Sequence, residues 1–236
     1  RTVAGILGGA LVESGWTTCT GKQGRSDTEQ AAFEVAANYK NKLTREYHEN
    51  LEDISGGAHF FKPMLAHKYE GWVDWGFVQP KLDGARCVAT KNGLFSRQGK
   101  PFLSVPHIQE ALAPLFAEHP ELILDGELYN HELKDDFGQI MSLIRQSKPT
   151  ADDLARSAEL IQYHVYDLPS SDDVFEMRSE ALDQLVNPVD AEKGSIRFVE
   201  TWVAKDAAAY DDLHGEFLER GYEGSIFRLN GAYEQK

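Results

Sequence analysis

The sequence is poor in the features that would settle its class at once. Two cysteines in 236 residues, Cys19 and Cys87, cannot build the disulfide framework that small secreted domains depend on, so a reducing compartment is the expected setting. Neither cysteine has a CxxC partner, and the eight histidines show no metal-ligand spacing. No uninterrupted apolar run is long enough to span a bilayer, and the opening "RTVAGILGGALVESG" is broken by glycines and followed by no cleavage site. This reading expects no membrane association and no signal peptide. Positive charge is also scarce. Lys and Arg number 24 against 38 Asp and Glu, a net −14, which argues against a protein that coats nucleic acid nonspecifically. A local basic groove of a few residues is compatible with that total. No repeat of fixed period is visible.

What is present supports a globular chain. A hydrophobic content of 42% over this length suffices for one sizeable domain plus an appendage, or for two lobes around a cleft. The segments Val3 to Leu7 and Ala10 to Trp16 flank Gly8-Gly9, a two-residue hairpin turn by composition. "SDTE" then reads as a capping box with Ser26 at the N-cap, opening a long helix with Val35, Tyr39, Leu43 and Tyr47 on one stripe. "ISGGAHFFKP" is the candidate linker, giving an appendage over 1–58 and a main domain over 59–236. Beyond it, "FVQPKL", "ARCVATK" turning at Asn92-Gly93 into "LFSRQG", "ELILDGELY", "IQYHVYDL", "IRFVETW" and "GSIFRL" read as strands. "HIQEALAPLFAEH", "DFGQIMSLIRQSK", "VFEMRSEALDQLV" and "AAAYDDLHGEFLERG" read as helices, and "ADDLARSAE" as a solvated acidic run. Hairpins are too frequent for a doubly wound parallel sheet, so the fold class is α+β.

The chemistry concentrates in "VQPKLDGAR", Val78 to Arg86. As surface decoration, its amine and carboxylate would form an ion pair worth a few tenths of a kcal/mol. As chemistry, Lys81 is a nucleophile. "KLDGAR" arises by chance in a chain of this size on the order of once in a thousand, whereas "DGE" at Asp125 to Glu127 and "EGSIFR" at Glu223 to Arg228 are each weak alone. In this order they form a strong constellation.

The whole resembles the covalent nucleotidyltransferase superfamily: "KLDGAR" looks like its K-x-D-G-x-R element, "SRQGK" its second, "ILDGEL" its third, "YHVYDL" its aromatic strand and "EGSIFR" its E-G-x-x-x-R/K element. Within it, the sequence is most similar to the adenylation domain of ATP-dependent DNA ligases of the phage and bacterial type, from about Phe60 onward and including "KPMLA" and "FGQIMSLIRQSK". Residues 1–58 resemble ligase N-terminal extensions only faintly. The resemblance implies a nucleotidyltransferase domain, ATP-grasp-like, with antiparallel sheets around a nucleotide cleft and a small hairpin-helix appendage.

It also implies a reaction, the transfer of AMP from ATP to Lys81 through a phosphoramidate bond with Mg2+ assisting, followed by sealing of nicked duplex DNA. A free lysine has a pKa near 10.4, so only about one molecule in a few thousand would be ready at neutral pH unless desolvation or nearby cations favour the amine. Glu127 and Glu223 are the implied acids near metal and ribose, since hard cations and hydroxyls both want carboxylate oxygens. Asp83 is read as a hydrogen-bond acceptor at the turn, and Gly84 as the position that lets backbone approach the nucleotide. Tyr166 is the implied adenine stack, and Gln79 sits where the family reads the adenine edge. Arg86 and Arg97 would clamp phosphates, including the 5′-phosphate of a nick, with Arg228 as a further nucleotide contact and Arg145 as a further DNA contact. Lys22, Arg25, Lys40, Lys42 and Arg45 are the appendage's candidate DNA contacts. A monomer in the cytoplasm of a bacterial or phage-infected cell is expected.

The competing readings are an RNA ligase, a capping-type enzyme that transfers GMP, and a catalytically idle nucleic-acid-binding module. The NAD-dependent ligases usually lack arginine at the position of Arg86. By resemblance a lysine pair and an OB-fold domain should follow "EGSIFR", with Lys236 just before the pair. Starting on Arg rather than Met, the chain is expected to be a fragment of a longer ligase.

Overall fold

Burial alternates along some strands, as in Gln162–Asp167, and runs continuously along others, as over 76–80, where the chain is covered on both faces. The computed structural model describes residues 1–6, 8–43, 47, 49–50, 60–72, 74–189 and 194–235. They fall in two units, Arg1–His59 and Phe60–Lys236.

In the first unit, β1 (Val3–Gly5) pairs antiparallel with β2 (Leu11–Glu13), and helix α1 spans Asp27–Leu43. The loop between the strands runs from residue 6 to residue 10, because Gly5 pairs with Leu11, so it is longer than a two-residue turn. Leu7 lies outside the described residues. The capping box forms: Ser26 N donates to Glu29 at 2.8 Å, and Glu29 N donates to Ser26 Oγ at 3.3 Å. The apolar stripe of α1 is not a core face. Val35 and Tyr39 are exposed, as is Tyr47 beyond the helix end, and Gln30 is the buried residue of α1. Residues 54–59 of the candidate linker lie outside the described residues.

The second unit holds two sheets. In the smaller, β3 (Gly76–Lys81) lies between β10 (Gly224–Arg228) and β9 (Trp202–Ala204), both antiparallel to it. The larger has the order β5-β4-β6-β7-β8, with β4 Ala85–Thr90, β5 Gly93–Ser96, β6 Leu124–Tyr129, β7 Gln162–Asp167 and β8 Ile196–Phe198. Its pairs are antiparallel except β7 with β8, which is parallel. "IRFVETW" is thus two strands in two sheets, not one, and it carries the chain from the larger sheet to the smaller. The β4–β5 turn falls at Lys91-Asn92, since Thr90 pairs with Gly93.

Helices α2 (Pro106–Glu118), α3 (Phe137–Ile144), α4 (Ala151–Leu160) and α5 (Phe175–Val186) accompany the larger sheet, and α6 (Ala207–Glu219) packs on β3, β9 and β10. The main core collects Cys87, Leu124, Leu128, Tyr163 and Val165 from the strands with Ile108, Leu112, Ile140 and Leu182 from the helices. The acidic run "ADDLARSAE" is α4, opened by a capping box in which Thr150 and Asp153 bond reciprocally. Among the described residues no helix is long and apolar enough to cross a membrane.

Candidate active site

β3 carries Lys81 to its last position, and the short turn that follows passes the chain into β4 of the larger sheet. Gly84 makes this turn possible, because a Cβ there would lie 2.3 Å from the Leu128 carbonyl oxygen. The close approach that glycine allows is therefore to β6, where the sequence suggested the nucleotide. Asp83 is exposed at the turn and makes no hydrogen bond among the described residues, so the acceptor role expected of it is not seen.

The partner of Lys81 is Glu223. Their side chains form an ion pair, and Glu223 N donates to the Lys81 carbonyl at 3.1 Å, so the residue just before β10 is fixed to the end of β3. Both side chains are about half exposed, Lys81 at 41% and Glu223 at 45%.

Across from this pair, the larger sheet presents its polar positions. Arg86, Glu127 and His164 occupy one register across β4, β6 and β7, and Asp125 follows on the same face of β6, two residues from Glu127. A bulge between Asp125 and Gly126 leaves Tyr166 without an opposite residue on β6. The Tyr166 ring has two guanidiniums near it, Arg86 at 5.9 Å and Arg228 at 5.4 Å from its centroid.

Burial pushes the Glu127 carboxyl up from its ordinary 4.5 to about 8, with Asp125 and Asp83 adding to the rise and Arg86 and Lys81 opposing it. Its neighbour His164 is driven the other way, to about 3, chiefly by burial. A raised carboxyl binds its proton in the folded state and releases it on unfolding, so the contribution of Glu127 to stability is fully present below pH 4.5 and lost as pH rises toward 8. Wild type should therefore lose on the order of 2 kcal/mol relative to Glu127→Gln across that window, roughly 4–8 °C of melting temperature. Parallel melting curves for the two proteins from about pH 5 to about pH 9 would show that Glu127 is not the group responsible.

Arg86 does not point outward. Its Nε and Nη2 fork onto Asp125 Oδ1 and Oδ2 at 3.0 and 2.6 Å, and Tyr233 Oη donates to the same carboxylate at 2.7 Å. Gln79 is likewise turned inward. It accepts from Arg228 Nε at 2.7 Å and donates to Thr201 Oγ1 at 2.9 Å and the Tyr166 carbonyl at 3.3 Å. Arg228 also donates to Asp167 Oδ2 at 2.9 Å. The fully buried Asp167 meets Arg178 as well, at 2.8 and 3.2 Å, and Arg178 Nη1 reaches the carbonyls of Asp173 and Gly231.

The structure thus gathers Lys81, Glu223, Glu127, Tyr166, Arg86, Arg228 and Gln79 between the two sheets. It does not bring in Arg97, which is exposed beyond the edge strand β5, or Arg145, exposed at the C-terminus of α3. In the appendage, Lys22 pairs with Glu34 at 4.0 Å, Arg25 covers the Phe33 ring and Lys42 the Tyr47 ring. Arg45 and Lys236 lie outside the described residues. The sequence reading missed Asp167, Arg178 and Tyr233, although Arg178 stands between Phe175 and Leu182 on the buried stripe of α5.

No group of three or more His, Cys, Asp or Glu suited to a metal occurs among the described residues. Magnesium takes one or two carboxylates and completes its shell with substrate phosphates, so Glu223 fits it and Glu127 would join on releasing the proton that burial makes it keep.

The family model described as "ATP dependent DNA ligase domain" matches residues 58–236. A DNA ligase of African swine fever virus is 30% identical over 236 residues, covering 91% of this chain and 52% of the relative. The DNA ligase of Enterobacteria phage T4 is 24% identical, covering 67% of this chain and 42% of the relative. Among solved structures, Chlorella virus DNA ligase-adenylate superposes with a TM-score of 0.57 at 18% identity, covering 73% of this chain and 62% of that one. The ATP-dependent DNA ligase of bacteriophage T7, in complex with ATP, gives 0.58 at 15%, covering 74% and 65%. The chain spans about half the length of the viral relatives it matches.

Proposed function

This chain belongs to the family of ATP-dependent DNA ligase domains, and we propose that it transfers AMP from ATP to Lys81 as the first step of sealing nicks in duplex DNA. The observation that carries this reading is the placement of Lys81. A strand-end amine is held half-exposed by Glu223, with a second carboxyl, Glu127, on the facing sheet. In the step itself, neutral Nζ attacks the α-phosphorus, a P–N bond forms, the P–O bond to pyrophosphate breaks, and the nitrogen gives up a proton. Glu127 and Glu223 would hold magnesium, which when bound supplies charge neutralisation on the triphosphate. Attack needs Nζ free of its ion pair with Glu223, so that pair must open before the P–N bond can form.

Tyr166 offers its ring to adenine, and Arg228 and Gln79, locked together, form the wall beside it. Arg86 keeps one guanidinium nitrogen outside its fork on Asp125 for a phosphate. Arg97 and Arg145 are free of ion pairs among the described residues and would serve the DNA backbone. The proposed partners are ATP and nicked duplex DNA, the proposed form is a monomer, and the proposed setting is the cytoplasm of a bacterial or phage-infected cell.

Intact mass after separate incubation with each nucleoside triphosphate and magnesium tests the reading. A gain of AMP is expected from ATP alone. A gain of GMP would make the protein a capping-type enzyme, and no gain would leave only a binding module. For the appendage, removing residues 1–58 should lower affinity for nicked duplex at least several-fold while leaving AMP transfer within about twofold. Equal loss of both would make it part of the catalytic fold.

A further inference from the structure

Strand β6 carries Glu127 into the site, and two residues on it carries Tyr129, whose hydroxyl meets His131 Nδ1 at 2.8 Å. The other ring nitrogen, Nε2, reaches the Arg220 carbonyl at 3.0 Å. A carbonyl can only accept, so Nε2 bears the hydrogen and Nδ1 accepts from Tyr129. Burial holds His131 below its ordinary range, which favours this neutral form. The imidazole also packs on the Tyr222 ring, centroids 4.3 Å apart. His131 therefore grips Arg220 and Tyr222, the residues on either side of Gly221.

That turn ends one residue short of Glu223. It closes α6 with Gly221 at φ +85°, Gly221 N donating to the Leu218 carbonyl and Tyr222 N to the Phe217 carbonyl. Lys134 presses on it too, because a Cβ at Gly221 would lie 2.4 Å from the Lys134 side chain. On its own side His131 is anchored. The preceding Asn130 accepts from Glu132 N at 2.9 Å and donates to the Leu160 carbonyl at 2.7 Å.

We propose that His131 is a positioning residue for Glu223: it ties the turn that leads into Glu223 to the strand bearing Glu127, and so fixes both carboxyls relative to Lys81. The inference rests on the reading of Lys81 as the AMP acceptor. Glu223 is long and half-exposed, so its carboxylate goes where its backbone is held. One hold is the bond from Glu223 N to Lys81. On its C-terminal side β10 pairs with β3 from Gly224 onward, and on its N-terminal side His131 links the preceding turn to the larger sheet.

The test is a double-mutant cycle on single-turnover AMP transfer. His131→Ala should lower the maximal rate about tenfold with the ATP half-saturation within about twofold, and should cost less than about twofold more once Glu223→Gln is present. His131→Gln keeps a donor for the Arg220 carbonyl and should recover most of the rate. His131→Phe keeps only the stack and should not. Equal losses from His131→Ala in both backgrounds, or no loss, would overturn the proposal. Should His131→Ala fail to fold, the comparison of His131→Gln with His131→Phe decides it, equal rates for the two being the contrary result.

A second measurement is independent of activity. Acylation of Lys81 by a small N-hydroxysuccinimide ester, followed by peptide mass mapping, reads how freely Nζ leaves its ion pair with Glu223 and should speed up about two- to fivefold in the His131→Phe and Glu223→Gln variants alike, with no further gain when the two are combined. If wild type took up no AMP, the activity reading would fail, yet acylation would still decide whether His131 acts through Glu223. Additive acceleration, or none in His131→Phe, would refute it.

Discussion

Lys81→Ala should abolish covalent AMP attachment, at least about a thousandfold, while moving the melting temperature by no more than about 2 °C. The two halves of this expectation have separate causes. Chemically, no other amine among the described residues is held at the end of β3 against Glu223, and removal of a nucleophile that forms the covalent intermediate leaves nothing to carry the phosphoryl group. Structurally, the side chain is 41% exposed and its ion pair is of the half-solvated kind worth about 0–1 kcal/mol. Lys81→Arg separates charge from nucleophilicity. A guanidinium can keep the pair with Glu223, but it holds its proton at any working pH and cannot attack, so this variant should fail nearly as completely. Label retained by either protein after denaturing electrophoresis would show that Lys81 is only a phosphate contact.

The second large effect is expected away from the nucleophile. Arg178 and Asp167 are 1% and 0% exposed, and Arg178 satisfies two carboxylate oxygens and the carbonyls of Asp173 and Gly231. Arg178→Ala removes the cation and leaves a buried carboxylate with Arg228 as its remaining basic partner and two carbonyls without that donor. Breaking a buried pair from one side costs about 3–5 kcal/mol, far more than the pair itself contributes against an apolar replacement. Denaturant unfolding of Arg178→Ala should show a loss of that size, and Arg178→Met with Asp167→Asn should recover part of it. A loss below about 1 kcal/mol in the single variant would mean that water or Arg228 compensates the charge. The same replacement should weaken nucleotide binding, because Arg228 leans on Asp167 and Gln79 leans on Arg228 beside Tyr166.

These two sites differ in how much the sequence disclosed of them. Lys81, Glu127 and Glu223 stand in short motifs whose order and residue types follow from the chemistry, and the capping box at Ser26 and the helices after Pro106 follow from local propensity. What local pattern could not supply was partnership. Nothing near Lys81 in sequence indicates that it pairs with Glu223 across β10 rather than with Asp83 two residues away, since that choice is made by strand register. Arg86 is in a motif, yet that it forks onto Asp125 depends on the offset between β4 and β6. "IRFVETW" reads as one strand because its composition is continuous, and the chain divides it only because two different sheets have room at their edges. The acidic surface of α4 masked a helix whose Thr150 and Asp153 cap was in plain view. Arg178 was hidden by the habit of reading arginine as solvated, although its place on the apolar stripe of α5 was a signal.

The most direct test of the central claim is location of the adduct. After incubation with ATP and magnesium, the protein should be digested and the modified peptide sequenced by tandem mass spectrometry. The account expects AMP on the peptide containing Lys81, on its Nζ, lost in acid and retained in alkali as a phosphoramidate should be. AMP on any other residue, or none at all in a protein that is folded and binds ATP, would contradict it.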